Sequence, residues 1–174
     1  MGRKTEEKGN FVTIKKIALN AIVAAVYFVI CLVSGALAYE QIQFRIAELL
    51  VLLCFWRRDL IIGVTLGCFL ANVNSTLGPW DMLFGTILTL VSCVLVAFSP
   101  KMLIACIWPI VFNAFGVAAE LYLIIGLPYW INVLWVGIGE ATVIIGSYIL
   151  WMILWRNKAF MRMMEPDRKS EPSW

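Results

Sequence analysis

Residues 102–125 read MLIACIWPIVFNAFGVAAELYLII, and Glu120 is the only Asp, Glu, Lys or Arg among them. About 20 consecutive apolar residues are enough for a helix to cross the hydrocarbon core of a bilayer. The rest of the chain has the same character: 62% of its 174 residues are hydrophobic, 14% are charged, and the mean hydropathy is +0.89. Soluble domains carry about 25% charged residues. We therefore predict an all-α integral membrane protein.

The apolar runs predict six transmembrane helices, of which the second and third are short. Turn-forming residues such as Gly78-Pro79 and Ser99-Pro100 separate several of them. Residues 1–16 and 156–174 are then polar tails on either side of one transmembrane domain, residues 17–155. We place the helices at Ile17–Ala38, Ile46–Trp56, Leu60–Asn74, Trp80–Phe98, Met102–Ile125 and Trp130–Trp155.

The Lys and Arg residues predict the orientation of this bundle. If six helices cross the membrane, every Lys and Arg except Arg45 falls in a tail or in a loop on the same side as the tails. Positive residues concentrate on the cytoplasmic side of membrane proteins. We therefore expect both termini in the cytoplasm and Arg45 toward the outer side.

The composition argues against an enzyme or a metalloprotein. The chain has no His, and its five Cys are scattered without a CxxC spacing. An intramembrane hydrolase would need metal ligands or a nucleophile beside a base. No GxxxxGK[ST] sequence occurs either, so we predict that the chain binds no ATP, no metal and no other cofactor.

Three glutamates indicate a polar binding site inside the bundle. Glu48, Glu120 and Glu140 each lie within a predicted helix. A charged side chain at the bilayer centre costs about 2.5–3.5 kcal/mol on insertion scales, so such residues face the bundle interior or a cavity. Under the predicted topology these glutamates and Asn72 lie in the outer half of the membrane or near its middle.

Polar residues of the fifth and sixth predicted helices recur at helical spacing, so each set shares one face. The sets are Asn113, Gly116 and Glu120, and Asn132, Val136 and Glu140. Trp135 lies close to the face of Asn132 and either stacks on a planar ring or belongs to the aromatic belt of the membrane interface.

Two further patterns each allow a structural and a functional interpretation. Arg45 and Glu48, three residues apart, either pair with each other or contribute to the site. Ala18, Ala21 and Ala25 form a strip of small residues on the first helix. Such a strip allows another helix to approach closely, either within the bundle or in a partner subunit.

Several stretches of this chain resemble queuosine-precursor transporters, which are substrate-binding S components of energy-coupling-factor (ECF) transporters. The stretch 39–48, YEQIQFRIAE, is similar to their QFR-x-x-E sequence. The resemblance covers residues 15–155 in order. The other matching stretches are Gly67–Asn72, Asp81–Thr86, Phe112–Ala114 and Asn132–Glu140.

The resemblance implies a six-helix S component that captures its substrate from outside the cell. It would then associate with a transmembrane scaffold subunit and two ATPases that hydrolyse ATP, in the plasma membrane of a prokaryote. The alanine strip would dock on the scaffold. Residues 39–43, including Gln43, would form a gate over the site that Arg45 and Glu48 help to shape.

The implied substrate is 7-aminomethyl-7-deazaguanine or queuine. Glu120 and Glu140 would be the acidic contacts, Asn72, Asn113 and Asn132 the amide contacts, and Trp135 the stacking surface. Two alternatives remain open from the sequence: an S component for another vitamin or nucleobase, and a self-sufficient carrier that uses a carboxylate as a proton site.

Overall fold

The computed structural model describes residues 2–34, 45–73, 75 and 77–164, with side chains from residue 13 onward apart from that of residue 163. All regular elements within these ranges are helical. Along the chain they are α1 (Gly2–Ser34), a 3-10 helix (Ile46–Phe55), α2 (Leu60–Asn72), α3 (Pro79–Phe98), α4 (Met102–Ile125), α5 (Tyr129–Trp155) and α6 (Lys158–Met164).

Each of the six predicted apolar segments coincides with a helix, which confirms an all-α membrane protein. Four stretches are long and apolar enough to cross a bilayer: Thr13–Ser34, Pro79–Phe98, Met102–Ile125 and Tyr129–Trp155. Ile46–Phe55 and Leu60–Asn72 are apolar but shorter. Six complete crossings therefore stay a prediction, as does the orientation of the termini.

The helices differ from the predicted ones in three respects. The second is a 3-10 helix, so its ten residues span about 20 Å. The first begins at Gly2 because good helix formers such as Glu6, Glu7 and Lys8 extend it into the polar tail. The short helix α6 was not predicted. The predicted ends Ala38 and Asn74 lie outside the described residues.

The 3-10 helix is the central element of the fold. It contacts all five of the helices α1 to α5, and nearly all of its side chains are buried. Ser147 Oγ and Trp151 Nε1 of α5 both donate hydrogen bonds of 2.8 Å to the carbonyl oxygen of Leu49. Tertiary packing therefore holds this helix, since its own sequence contains no residue that breaks an α-helix.

Glycines on α2 bring it unusually close to α1. The backbone N–H of Gly63 donates to Asn20 Oδ1 at 2.6 Å. A Cβ atom added at Gly67 would lie 2.6 Å from Tyr27 Cβ. Two glycines four residues apart lie on the same face of a helix and permit this close approach. The packing also fixes Tyr27, which is 1% exposed, toward the bundle interior.

Short connections make α3, α4 and α5 successive antiparallel neighbours. The start of α3, the end of α4 and the start of α5 therefore share one end of the bundle, which we call the Asp81 end. The opposite end, here the Arg57 end, is covered by α6. There Arg57 pairs with Asp59 and donates from Nη1 to the carbonyl oxygen of Met164 at 2.8 Å.

Candidate functional site

One group of buried polar side chains lies in the middle of the bundle, and we call it the mid-bundle cluster. Glu48 is fully buried, and its Oε1 accepts hydrogen bonds from Tyr27 OH at 2.8 Å and from Thr89 Oγ1 at 3.3 Å. Its Oε2 has no hydrogen-bond partner among the described residues. The cluster comprises Tyr27, Glu48, Cys68, Thr89, Asn113 and Glu140.

Asn113 and Glu140 supply the unpaired atoms of this cluster. Asn113 lies near the carboxyl groups of both Glu48 and Glu140. Nevertheless, neither its Oδ1 nor its Nδ2 forms a hydrogen bond within the described chain, and Glu140 Oε1 is equally unpaired there. Asn113 is 1% and Glu140 2% exposed. Buried polar groups are normally hydrogen-bonded, so such a set favours a bound polar molecule.

A second group, the end cluster, lies toward the Asp81 end and comprises Arg45, Asn72, Ser75, Asp81 and Glu120. Arg45 Nη2 lies 3.8 Å from Asp81 Oδ1. Ser75 Oγ donates to Asp81 Oδ2. Asn72 Nδ2 donates to the backbone carbonyl of Asp81 at 3.0 Å, which ties the end of α2 to the first turn of α3.

Glu120 is the exceptional member of the end cluster. Its side chain is fully buried, yet both carboxyl oxygens lack a hydrogen-bond partner within the described residues. The charged groups that interact electrostatically with the Glu120 carboxyl group are Asp81 and Arg45. Leaving a buried charged group unpaired is expensive. A carboxyl group held in this way is suited to receive a donor from a bound molecule.

Helix geometry separates the two clusters along the bundle. Asn113 and Glu120 share one face of α4 and are two turns apart, or about 10 Å along its axis. Glu140 lies eleven residues into α5, about 16 Å from its start, at nearly the depth of Asn113. Polar groups thus occur at two levels, with Glu120 near one end of α4 and Glu140 deeper.

The structure brings most of the predicted site residues into the interior. Seven of them are buried: Arg45, Glu48, Asn72, Asn113, Glu120, Asn132 and Glu140. Asn132 uses its Nδ2 to donate to the carbonyl of Pro128 at 2.8 Å, so only part of its amide is available. Their contacts with a substrate stay a prediction.

The possible ion pair between Arg45 and Glu48 is not formed. Arg45 pairs instead with Asp81, while Glu48 accepts hydrogen bonds from Tyr27 and Thr89. The i, i+3 pairing requires both residues to be helical. Arg45 precedes the 3-10 helix and has φ −78° and ψ 76°, which directs its side chain elsewhere.

Other predicted residues lie away from the two clusters. Trp135 is 45% exposed and is not among the inward-facing residues of α5, so the packing does not support stacking in the interior. Ala18, Ala21 and Ala25 are exposed on α1. Gln43 and the rest of the predicted gate, residues 39–43, lie outside the described residues.

Sequence reasoning missed Asp81, Tyr27 and Thr89 as site residues. Asp81 occupies the first turn of α3, where an acidic residue is commonly explained by the helix dipole. Tyr27 and Thr89 are unremarkable in apolar helices until their contact with Glu48 is known. The one sequence signal for Asp81 was Arg45, because a cation that is expected to be buried requires a carboxylate partner.

The described residues contain no group of three or more His, Cys, Asp or Glu side chains that could hold a metal ion. What the two clusters offer is carboxylate and amide chemistry. They can accept hydrogen bonds from cationic or N–H donors, and Asn113 can also donate.

Comparison with known proteins identifies the family of this chain. A sequence model described as QueT transporter matches residues 17–156. A relative, "Queuosine precursor transporter QueT" of Lactococcus lactis subsp. cremoris (strain MG1363), is 40% identical over 74 residues, which span 41% of this chain and 43% of that protein. No solved structure matches. The matched region covers most of the chain, and the protein therefore belongs to the QueT transporter family.

Proposed function

We propose that this protein is the S component of an ECF transporter and binds a queuosine precursor, 7-aminomethyl-7-deazaguanine or queuine. The observation that carries the proposal is the set of buried, unpaired acceptors and amide atoms on Glu120, Asn113 and Glu140. Family membership and the name of the Lactococcus relative agree with it.

The chemistry of a 7-deazaguanine suits these groups. Its guanine-type edge offers N1–H and an exocyclic amine, two parallel donors that one carboxylate can accept, beside a carbonyl that an amide N–H can contact. The aminomethyl group adds a cation. Hydrogen bonds that involve a charged group contribute about 1.5–3 kcal/mol each, more than neutral ones.

The proposed topology has six crossings with both termini in the cytoplasm of a prokaryotic cell. The basic residues at the Arg57 end and in the tails support this orientation. The Asp81 end then faces outward. Substrate would enter there, meet the end cluster first and reach the mid-bundle cluster below it.

A partner surface is proposed along α1. Ala21 is exposed beside a groove of about 370 Å³ that Asn20, Asp59 and Gly63 also line. Ala18 and Ala25 continue this strip of small exposed residues. It would receive a helix of the transmembrane scaffold subunit, and two ATPases bound to that scaffold would supply the energy from ATP.

The test is calorimetric titration of the detergent-purified full chain with 7-aminomethyl-7-deazaguanine. We expect sub-micromolar binding, comparable or weaker binding of queuine, and none of biotin; guanine tests the need for the 7-substituent. Folded protein, free of retained substrate, that bound no deazapurine would refute the proposal. Uptake by vesicles that contain this chain without any ATPase would favour an ion-coupled carrier instead.

A further inference from the structure

Building on the proposed function, we propose that the two clusters bind opposite ends of the substrate. The end cluster holds the aminomethyl ammonium through Glu120, and the mid-bundle cluster reads the guanine-type edge through Glu140 and Asn113. This assigns the orientation of the base in the bundle, with its cationic substituent toward the Asp81 end.

The first argument is the charge balance of the end cluster. Asp81 lies in the first turn of α3, where the positive end of the helix dipole favours an anion. It is also paired with Arg45, so these two residues together are neutral. Glu120 is then a further acidic group beside a pair whose one cation, Arg45, is already shared with Asp81. A substrate with one positive charge supplies the charge that this cluster lacks.

The second argument is the pattern of donors and acceptors in the mid-bundle cluster. A guanine-type edge presents two donors beside one acceptor. Glu140 Oε1 and both amide atoms of Asn113 form no hydrogen bond of normal geometry among the described residues, and Asn113 lies beside the Glu140 carboxyl group in the same buried region. A carboxyl group beside an unpaired amide is complementary to that edge, whereas an ammonium group has no acceptor for the amide N–H.

In the opposite orientation the base edge would meet amides that already form hydrogen bonds within the protein. The amide of Asn72 is already used, because its Nδ2 donates to the carbonyl of Asp81. Gly85 leaves room for this amide, since a Cβ at Gly85 would lie 2.5 Å from its nitrogen. Asn132 likewise donates to Pro128. Among the described residues with buried amides, Asn113 is the one whose oxygen and nitrogen both lack a hydrogen-bond partner.

Depth supports the same orientation. Glu120 is five residues, or about 7–8 Å, from the end of α4, while Glu140 lies about 16 Å from the start of α5. An ion loses more hydration free energy than a neutral group when it is buried. The charged substituent is therefore better placed at the shallower level and the neutral edge at the deeper one.

Three closely related substrates test the binding of the two ends of the base separately in one experiment. The three probes are 7-aminomethyl-7-deazaguanine, 7-methyl-7-deazaguanine, which lacks the ammonium, and 7-aminomethyl-7-deazahypoxanthine, which lacks the exocyclic amine. Each is titrated calorimetrically into the wild-type chain, Glu120→Gln and Glu140→Gln. The control is Thr142→Ala, a change at an exposed position of α5 where the hydroxyl donates to the carbonyl of Ile138 in the same helix.

We expect Glu120→Gln to weaken binding of the aminomethyl base about 10- to 100-fold, the range of one charge-assisted bond, and to change binding of the methyl base little. Glu140→Gln should weaken both guanine-type probes and abolish the preference for guanine over hypoxanthine. The reverse pattern, with Glu140→Gln removing the preference for the ammonium, would overturn the assignment.

A second variant and a separate outcome keep the test decisive. If Glu120→Gln does not fold, Glu120→Met replaces the unpaired carboxyl with an apolar side chain of similar size, a change that buried sites often tolerate. It should lose the same preference for the ammonium. A wild-type chain that binds none of the three probes would refute the proposed function itself, which is a distinct outcome from binding in the opposite orientation.

Discussion

Arg45 Nη2 lies 3.8 Å from Asp81 Oδ1, and this buried contact joins the residue before the 3-10 helix to the first turn of α3. Both side chains are at most 6% exposed. Removing one partner of a buried pair leaves an uncompensated charge, which costs about 3–5 kcal/mol, whereas replacing both can be nearly neutral.

Arg45→Met and Asp81→Asn should therefore each lower the thermal stability of the detergent-purified protein strongly, because each leaves the other charge buried without its partner. The double variant should be more stable than Arg45→Met alone. Thermal melting of all four proteins provides a double-mutant cycle. Strictly additive losses would show that the two side chains do not interact.

Glu140→Gln should abolish high-affinity uptake of 7-aminomethyl-7-deazaguanine while leaving the protein folded and inserted in the membrane. The amide keeps the volume of the side chain, but it replaces one acceptor with a donor and removes the charge. Cellular uptake and melting temperature should be measured together, with Thr142→Ala as the control. Unchanged affinity in a folded variant would remove Glu140 from the site.

Tryptophan at Ala21 or Ala25 should leave binding by the isolated chain intact and block ATP-driven uptake in the assembled transporter. Both alanines are exposed, so the larger side chain should disturb a partner rather than the bundle. Ile145→Trp, at an exposed position of α5 rather than on this face of α1, is the matched control and should transport normally. Loss of binding by Ala21→Trp would instead mean that the strip packs within this protein.

Gly67→Ala should destabilise the bundle, because the new methyl group would lie 2.6 Å from Tyr27 Cβ and 2.9 Å from the carbonyl oxygen of Ala24. Gly146→Ala is a natural control, since nothing lies within 4 Å of its added Cβ. Alanine there should be neutral or stabilise by up to about 1 kcal/mol through its better helix propensity. Equal melting temperatures for the two variants would contradict the close packing of α1 and α2.

The sequence was sufficient to predict the apolar helices because their length and hydropathy are local properties. The start of α4 at Met102 and its end at Ile125 were both predicted correctly, since Ser99-Pro100 and Gly126 bound the run. The burial of Glu120, Asn113 and Glu140 was also predictable, because a carboxylate within an apolar helix must face the interior.

The contacts between helices were not predictable in the same way. The pairing of Arg45 with Asp81 and the hydrogen bond from Tyr27 to Glu48 depend on how distant segments meet. The 3-10 form of residues 46–55 has no local signal either, because its stability comes from burial among five other helices. The sequence left the direction of Trp135 open, because its neighbour Val136 is buried while Trp135 itself is 45% exposed, and helical spacing alone does not separate adjacent positions so finely.

The double hydrogen bond at the Leu49 carbonyl has a mechanical consequence. Ser147 and Trp151 bind the 3-10 helix to α5. The helix that carries Glu48 and the helix that carries Glu140 are therefore directly connected. The same Trp151 ring stacks on Phe160 of α6, with centroids 5.9 Å apart. We therefore expect a displacement of α5 at Glu140 to move the 3-10 helix and α6 with it, at the surface where the chain leaves its last long helix.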